Sequence, residues 1–193
     1  MLIDYRLTSI PDDAFVRGKV PMTKEEVRAV TMSKLRLRDD SFVLDVGAGT
    51  GSLSIECAFK ASNGHVYAIE RNEDGIQLIH ENKKKFNREN VRIIKGLAPE
   101  DLPPDVEFDS IIIGGTGGNM TPVLDYCKVH LKENGWIVSN MITLENMSVF
   151  LTYAKNHFRN VEVVQINVSK SKMLKDITMM MANNPIFIIS AQK

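Results

Sequence analysis

Val43-Leu44-Asp45-Val46-Gly47-Ala48-Gly49-Thr50-Gly51 places a strand, a carboxylate and a glycine turn in immediate succession. Ser41-Phe42-Val43-Leu44, which enters it, reads as a buried parallel strand. Leu53-Ser54-Ile55-Glu56-Cys57-Ala58, which leaves it, reads as a helix. Glycines between the two let the backbone turn tightly, approach a ligand closely and present N–H groups at a helix N-terminus. A dinucleotide pyrophosphate is a poor fit. Asp45 stands two residues before the first glycine and would repel it, and the third glycine of G-x-G-x-x-G would fall on Ser52. The ammonium and sulfonium of S-adenosylmethionine are attracted by the same carboxylate. Asp45, Gly47, Ala48, Gly49, Thr50 and Gly51 are therefore candidate cofactor contacts, with a purely structural turn as the alternative.

His65-Val66-Tyr67-Ala68-Ile69 reads as the next strand and ends at Glu70. An acidic residue at that point of a doubly wound sheet accepts hydrogen bonds from ribose hydroxyls; a solvated strand-end charge is the alternative. After a third strand, Val91-Arg92-Ile93-Ile94, small residues around Leu97 and Ala98 make a wall for an adenine ring, or an ordinary loop ending at Pro99. Together these point to a methyltransferase.

The 193 residues suit one domain, with residues 1–40 as a covering segment and helix, and 41–193 as a Rossmann-like core. Lys plus Arg equals Asp plus Glu, 24 each, so no net field draws the chain to nucleic acid or membrane. Cys57 and Cys127 fall on predicted helices, which suits a reduced, cytoplasmic protein. The N-terminus lacks a signal-peptide pattern, and no run approaches the roughly 20 apolar residues of a membrane span.

Strand and helix signals alternate from residue 22 onward. Thr23 and Glu26 fit a capping box opening a helix to about Leu37. Strands are expected at 42–46, 65–69, 91–95, 108–113, 135–141, 161–168 and 185–190, and helices at 52–61, 73–87, 119–131 and 145–157. Seven strands ending in a hairpin-like pair predict the class I methyltransferase sheet, an α/β fold with a mostly parallel sheet and an antiparallel last strand.

Three segments outside the cofactor signature hold the substrate chemistry. They are Ile10–Thr23, the turn Gly114-Gly115-Thr116-Gly117-Gly118-Asn119, and Ser169–Pro185. Ligands of open α/β sheets bind at the carboxyl edge of the strands, where the glycine turn must lie. Gly114 is expected at the cofactor, and Gly115, Thr116, Gly117 and Gly118 at the substrate. The cations in these segments are Arg6, Arg17, Lys19, Lys170, Lys172 and Lys175. Thr116, Asn119 and Asp13 are the catalytic candidates, and no metal cluster or nucleophile–base pair is visible. The four histidines read as structural. Asn184-Pro185-Ile186-Phe187 imitates the Asn-Pro-Pro-aromatic motif of nucleic-acid methyltransferases, but it opens the last strand instead of following the fourth.

With these segments placed, the chain resembles the CbiT family, the decarboxylating cobalt-precorrin-6B methyltransferases of anaerobic cobalamin biosynthesis. The resemblance runs from Ile10 to Ile189. It rests on Pro11-Asp12-Asp13-x-Phe15, Pro21-Met22-Thr23-x-x-Glu26-Val27-Arg28, the Asp45–Gly51 turn, Tyr67–Asn72, Gly114–Gly118 and Thr178-Met179-Met180. It implies methylation of carbon 15 of a tetrapyrrole, decarboxylation of the carbon-12 acetate, a homotetramer, and a possible separate carbon-5 methyltransferase as functional partner. It also implies cofactor contacts at Thr23, Gly47–Gly51, Glu70 and Ala98; the family often has Asp where this chain has Glu70. An electron-rich carbon can attack a sulfonium methyl directly, so alignment at about 3–3.5 Å matters more than a strong base. The macrocycle itself can accept the electrons of decarboxylation. A class I enzyme acting on tRNA or protein, and a non-catalytic S-adenosylmethionine-binding protein, are the competing readings.

Overall fold

Nine strands and five helices follow one another in the computed structural model, which describes Tyr5 and residues 8–193. Arg6 lies outside the described residues. The strands are β1 (Phe42–Val46), β2 (His65–Glu70), β3 (Val91–Lys95), β4 (Phe108–Ile113), β5 (Leu131–Met141), β6 (Arg159–Ile166), β7 (Ser169–Leu174), β8 (Ile177–Ala182) and β9 (Ile186–Gln192). Seven of them form one sheet in the order β3-β2-β1-β4-β5-β9-β6. Only β9 runs opposite to the other six strands, as the sequence pattern predicts.

Alternating side chains divide the core. Val43, Val66, Ala68, Ile112 and Val138 face helices α1 (Glu25–Leu35), α2 (Ser52–Lys60) and α3 (Glu73–Lys85). Leu44, Val46, Tyr67, Ile69, Ile111 and Ile113 face α4 (Met120–His130) and α5 (Leu144–His157). Strands buried on both faces need apolar residues at consecutive positions, which is why β1 holds Phe42-Val43-Leu44 and β4 holds Ile111-Ile112-Ile113. Asp45 shares the parity of Val43, so its carboxylate turns toward α2 and into the protein.

The start of α1 differs from expectation. Thr23 is not the cap: the helix begins at Glu25, and Asp12 Oδ1 accepts from the Glu25 N–H at 3.0 Å. A carboxylate offers a stronger acceptor than a hydroxyl at the positive end of a helix. It is available because Arg28 holds it in place. Arg28 is wholly buried, 2.7 Å from Asp12 and 2.9 Å from Glu56, and donates to the carbonyls of Thr23 and Ile10. Its guanidinium lies 4.8 Å from the centre of the Phe15 ring.

The segment before β9 also departs from expectation. What reads as a connection folds into the antiparallel hairpin β7–β8, with Lys175 at its tip in left-handed backbone. All twelve strand residues are exposed, so neither face carries the apolar–polar alternation that marks a packed strand.

Arg28→Ala is expected to lower unfolding stability by about 3–5 kcal/mol, because Glu56 would be left buried without its cation. Urea denaturation measures this, with Lys95→Ala as control. Lys95 and Glu73 form a pair exposed on both sides, and its loss should stay within about 0.5 kcal/mol.

Candidate functional site

Parallel strands deliver their carboxyl ends to one edge of the sheet, and antiparallel β9 begins at that same edge. The glycine turn after β1, Glu70 at the end of β2, Gly114 after β4 and Asn140 near the end of β5 therefore lie at the same edge as Asn183 and Asn184 before β9. Two cavities open there and meet at Gly47.

The larger, about 390 Å³, is lined by Thr23, Asp45, Gly47–Thr50 and Gly114, with Lys24 and Asn140. Apolar Ile142, Ile166, Val168 and Ile186 close its far side. The smaller, about 180 Å³, is lined by Gly47, Glu70, Leu97, Ala98 and Gly115–Gly117, with Arg71 beside them. Gly47 adopts φ +72°, and a Cβ on it would stand 2.5 Å from the Gly115 carbonyl oxygen. The two chain turns thus touch through bare backbone, and only glycine fits at 47. Hydrogen bonds fix this junction. Gly47 and Ala48 donate to the Ile69 carbonyl at 3.0 Å, and Gly114 donates to the Val46 carbonyl at 2.9 Å.

Two carboxylates give the cavities their polarity. Glu70 Oε2 accepts from Gly49 N–H at 2.8 Å, while Oε1 accepts from the N–H groups of Arg71 and Asn72 at 2.9 and 2.8 Å. A carboxylate has about four acceptor positions, so one on Oε2 is still available to a hydroxyl. Asp45 is buried, with Oδ2 2.5 Å from the Ser54 hydroxyl. Burial raises its pKa to about 6, opposed by the Ser54 hydrogen bond and reinforced by the negative charge of Glu70. An anion kept in so dry a place is best matched by a cation. The smaller cavity, with an acceptor for ribose and small residues for a flat ring, fits an adenosine. The larger, with Asp45, fits the charged amino-acid end of S-adenosylmethionine.

The expected site residues divide as follows. Thr23, Asp45, Gly47, Ala48, Gly49, Thr50, Gly114, Glu70, Leu97 and Ala98 all line one cavity or the other. Gly51 lines neither; it is the residue before α2, and a Cβ there would press on Ile79 at 3.0 Å. Gly115, Thr116 and Gly117, expected at the substrate, stand instead with Glu70 and Ala98, because the turn after β4 folds toward β2. Gly118, Asn119, Asp13, Arg17, Lys19, Lys170, Lys172 and Lys175 line neither cavity. Lys170 is held 2.8 Å from Glu26 and 3.8 Å from Asp12, so its charge fastens the hairpin to the N-terminal segment. Asn119 precedes α4, and Asp13, Arg17 and Lys19 are exposed.

Sequence reasoning missed Lys24 and Asn140, and named Asn183 and Asn184 only as part of the Ser169–Pro185 substrate segment. The asparagine pair was legible: it precedes an antiparallel strand, whose beginning must lie at the ligand edge. Asn140 Nδ2 is buried without a partner among the described residues.

The precorrin methyltransferase domain family matches residues 13–193. A curated relative, the cobalt-precorrin-6B C(15)-methyltransferase (decarboxylating) of Salmonella typhimurium, is 39% identical over 184 residues, 94% of this chain and 95% of its own. Among solved structures, a precorrin-6y C5,15-methyltransferase from Geobacter metallireducens superposes with a TM-score of 0.91 at 41% identity. It covers 97% of this chain and 99% of its own. A precorrin 8W decarboxylase from Methanobacterium thermoautotrophicum has a TM-score of 0.89 at 32% identity, over 94% and 98% of the two chains.

Because the unliganded Asp45 takes up a proton near pH 6, affinity for S-adenosylmethionine should fall as pH drops below about 6. The slope approaches tenfold per pH unit, since a bound cation favours the ionised form. Unliganded stability runs the other way. A raised carboxyl pKa contributes stability below its unfolded value, and this is lost as pH rises through 6. Calorimetry from pH 5 to 8 on the native chain and on Asp45→Asn checks this, and the variant should show a flat profile.

Proposed function

The chain belongs to the precorrin methyltransferase family, and on that premise we propose that it methylates carbon 15 of cobalt-precorrin-6B and decarboxylates the carbon-12 acetate. S-adenosylmethionine supplies an electrophilic methyl group on a sulfonium. The macrocycle carbon supplies the electron pair of the new C–C bond, and the S–CH3 bond breaks to leave S-adenosylhomocysteine. In decarboxylation the acetate's C–C bond breaks, its electron pair enters the conjugated ring and a proton is taken up. The protein's task in this reading is placement. Glu70 and the Leu97–Ala98 wall hold the adenosine, the Asp45–Gly51 turn holds the charged end, and the apolar side chains of the larger cavity exclude water.

The observation that carries the proposal is the meeting of the two cavities at Gly47. It leaves room on both sides of one bare backbone turn for a long cationic ligand. Mass spectrometry after incubation with methyl-labelled cofactor and cobalt-precorrin-6B tests it: the product should gain one labelled methyl and lose one carbon dioxide. Labelled tRNA or labelled protein in place of a labelled corrinoid would overturn it.

The proposal extends to a single methyltransferase domain over residues 1–193, acting in the cytoplasm with a separate carbon-5 methyltransferase. No helix among the described residues is long and apolar enough to cross a membrane. It also includes a homotetramer. Met173, Ile177 and Met180 on the β7–β8 hairpin are exposed by 74%, 62% and 65%, and Ile142 beside the larger cavity by 68%. Apolar surface concentrated on one projecting hairpin suits a buried interface between subunits. Sedimentation velocity should give about four times the 21.7 kDa chain mass. Met173→Asp with Met180→Asp should shift it to smaller species, and a native chain that sediments as a monomer would remove the tetramer.

A further inference from the structure

Gly75 stands in the first turn of α3, buried, in ordinary helical backbone. Its conformation does not call for glycine, and glycine is the poorest helix former after proline. Space does call for it. A Cβ at this position would lie 2.9 Å from Glu70 Cγ, 3.3 Å from Glu70 Cδ and 3.0 Å from the Gly49 carbonyl oxygen. The first two atoms belong to a side chain whose carboxylate is tied at both oxygens, to Gly49 on one side and to Arg71 and Asn72 on the other. That stem cannot swing away without releasing at least one of these bonds. The third atom belongs to the glycine turn itself. A methyl group at 75 would therefore press on both partners of the Gly49–Glu70 hydrogen bond at once.

We propose that Gly75 is a positioning residue for the cofactor. The gap it leaves fixes where the Glu70 carboxylate stands and which acceptor position of Oε2 it turns toward the smaller cavity. The inference rests on the reading of Glu70 as the ribose acceptor and adds a residue that touches no ligand. It follows from the sequence's own choice of a glutamate: the side chain has one methylene more than an aspartate, and its carboxylate folds back against its own backbone. The space for its stem is taken from the neighbouring helix.

Calorimetry with S-adenosylhomocysteine on four versions of the full chain tests it: native, Gly75→Ala, Glu70→Ala and the double variant. Gly75→Ala should weaken binding about 3–10-fold, the scale of a side chain driven some 30° off its preferred torsion. Once Glu70→Ala has removed the stem, only the 3.0 Å contact with the Gly49 carbonyl oxygen remains, so the same substitution should cost at least about twofold less affinity than it does with Glu70 in place, beyond the limit of additive behaviour. Melting of the unliganded proteins is the second readout. Added to Glu70→Ala, the Gly75→Ala substitution should raise the melting temperature by about 2–4 °C through the helix propensity of alanine. With Glu70 in place this gain should be absent. Equal losses of affinity with and without Glu70, or no loss with Glu70 present, would overturn the positioning role. If Glu70→Ala alone leaves affinity unchanged, the ribose reading falls first, and that result is distinguishable from the other two.

Discussion

The architecture of the site depends on a guanidinium with no access to water. Arg28 lies at 0% exposure among Asp12, Glu56, two backbone carbonyls and the Phe15 ring. Removing such a group from water costs several kcal/mol, so it is tolerable only with its donors satisfied and its charge countered. The partners come from different parts of the chain: Asp12, Phe15 and the Ile10 and Thr23 carbonyls from the N-terminal segment, Glu56 from α2. Satisfying Arg28 therefore wraps residues 10–23 around the start of α1. That wrapping brings Pro21, Met22 and Thr23 over the glycine turn, where they form a wall of the larger cavity. Glu56 Oε1 also accepts from Ser9 and from the Ile10 N–H, so one carboxylate closes the same loop from the other side.

The opposite wall is attached to the same charges. Lys170 reaches Glu26 and Asp12 from the base of the hairpin, and the residues flanking that hairpin, Ile166, Val168 and Asn183, line the larger cavity. Asp12 thus meets Arg28, caps α1 and attracts Lys170. The pairing holds Glu26 below the usual carboxylate range, against the effect of burial. Both walls are referred to one buried cation, while the floor is set independently by hydrogen bonds between the ends of β1, β2 and β4.

This division explains what the sequence disclosed. The floor is local. Asp45 and the three glycines occupy seven consecutive residues, Glu70 ends the next strand, and strand parity alone sends Asp45 inward. The walls are not local. Thr23 followed by Glu26 looks like a capping box because the pattern is written in adjacent residues. The real cap, Asp12, lies thirteen residues before Glu25 and is visible only once Arg28 is known to be buried. The hairpin was hidden for a related reason: its strand residues are all exposed, so the core imposed no periodicity on them. Gly115–Gly117, expected at the substrate, line the smaller cavity with Glu70 and Ala98. A run of glycines records freedom of the backbone and not the direction in which it turns.

Charge is also layered by depth. At the floor two carboxylates stand at the strand ends, with Arg71 also lining the smaller cavity: Asp45 is buried, and Glu70 has most of its acceptor positions occupied by backbone N–H groups. Lys24 lies on the wall of the larger cavity, and Lys172 and Lys175 stand out on the exposed hairpin. A cation finds its complement deep in the cleft, where low dielectric strengthens each interaction, whereas an anion meets its complement nearer the solvent. In the proposed reading, a cationic methyl donor meets its complement at Asp45, and an anionic acceptor meets Lys24 on the wall of the larger cavity. The chain's zero net charge is compatible with this order, because the selection is made by where each sign is buried and not by the total.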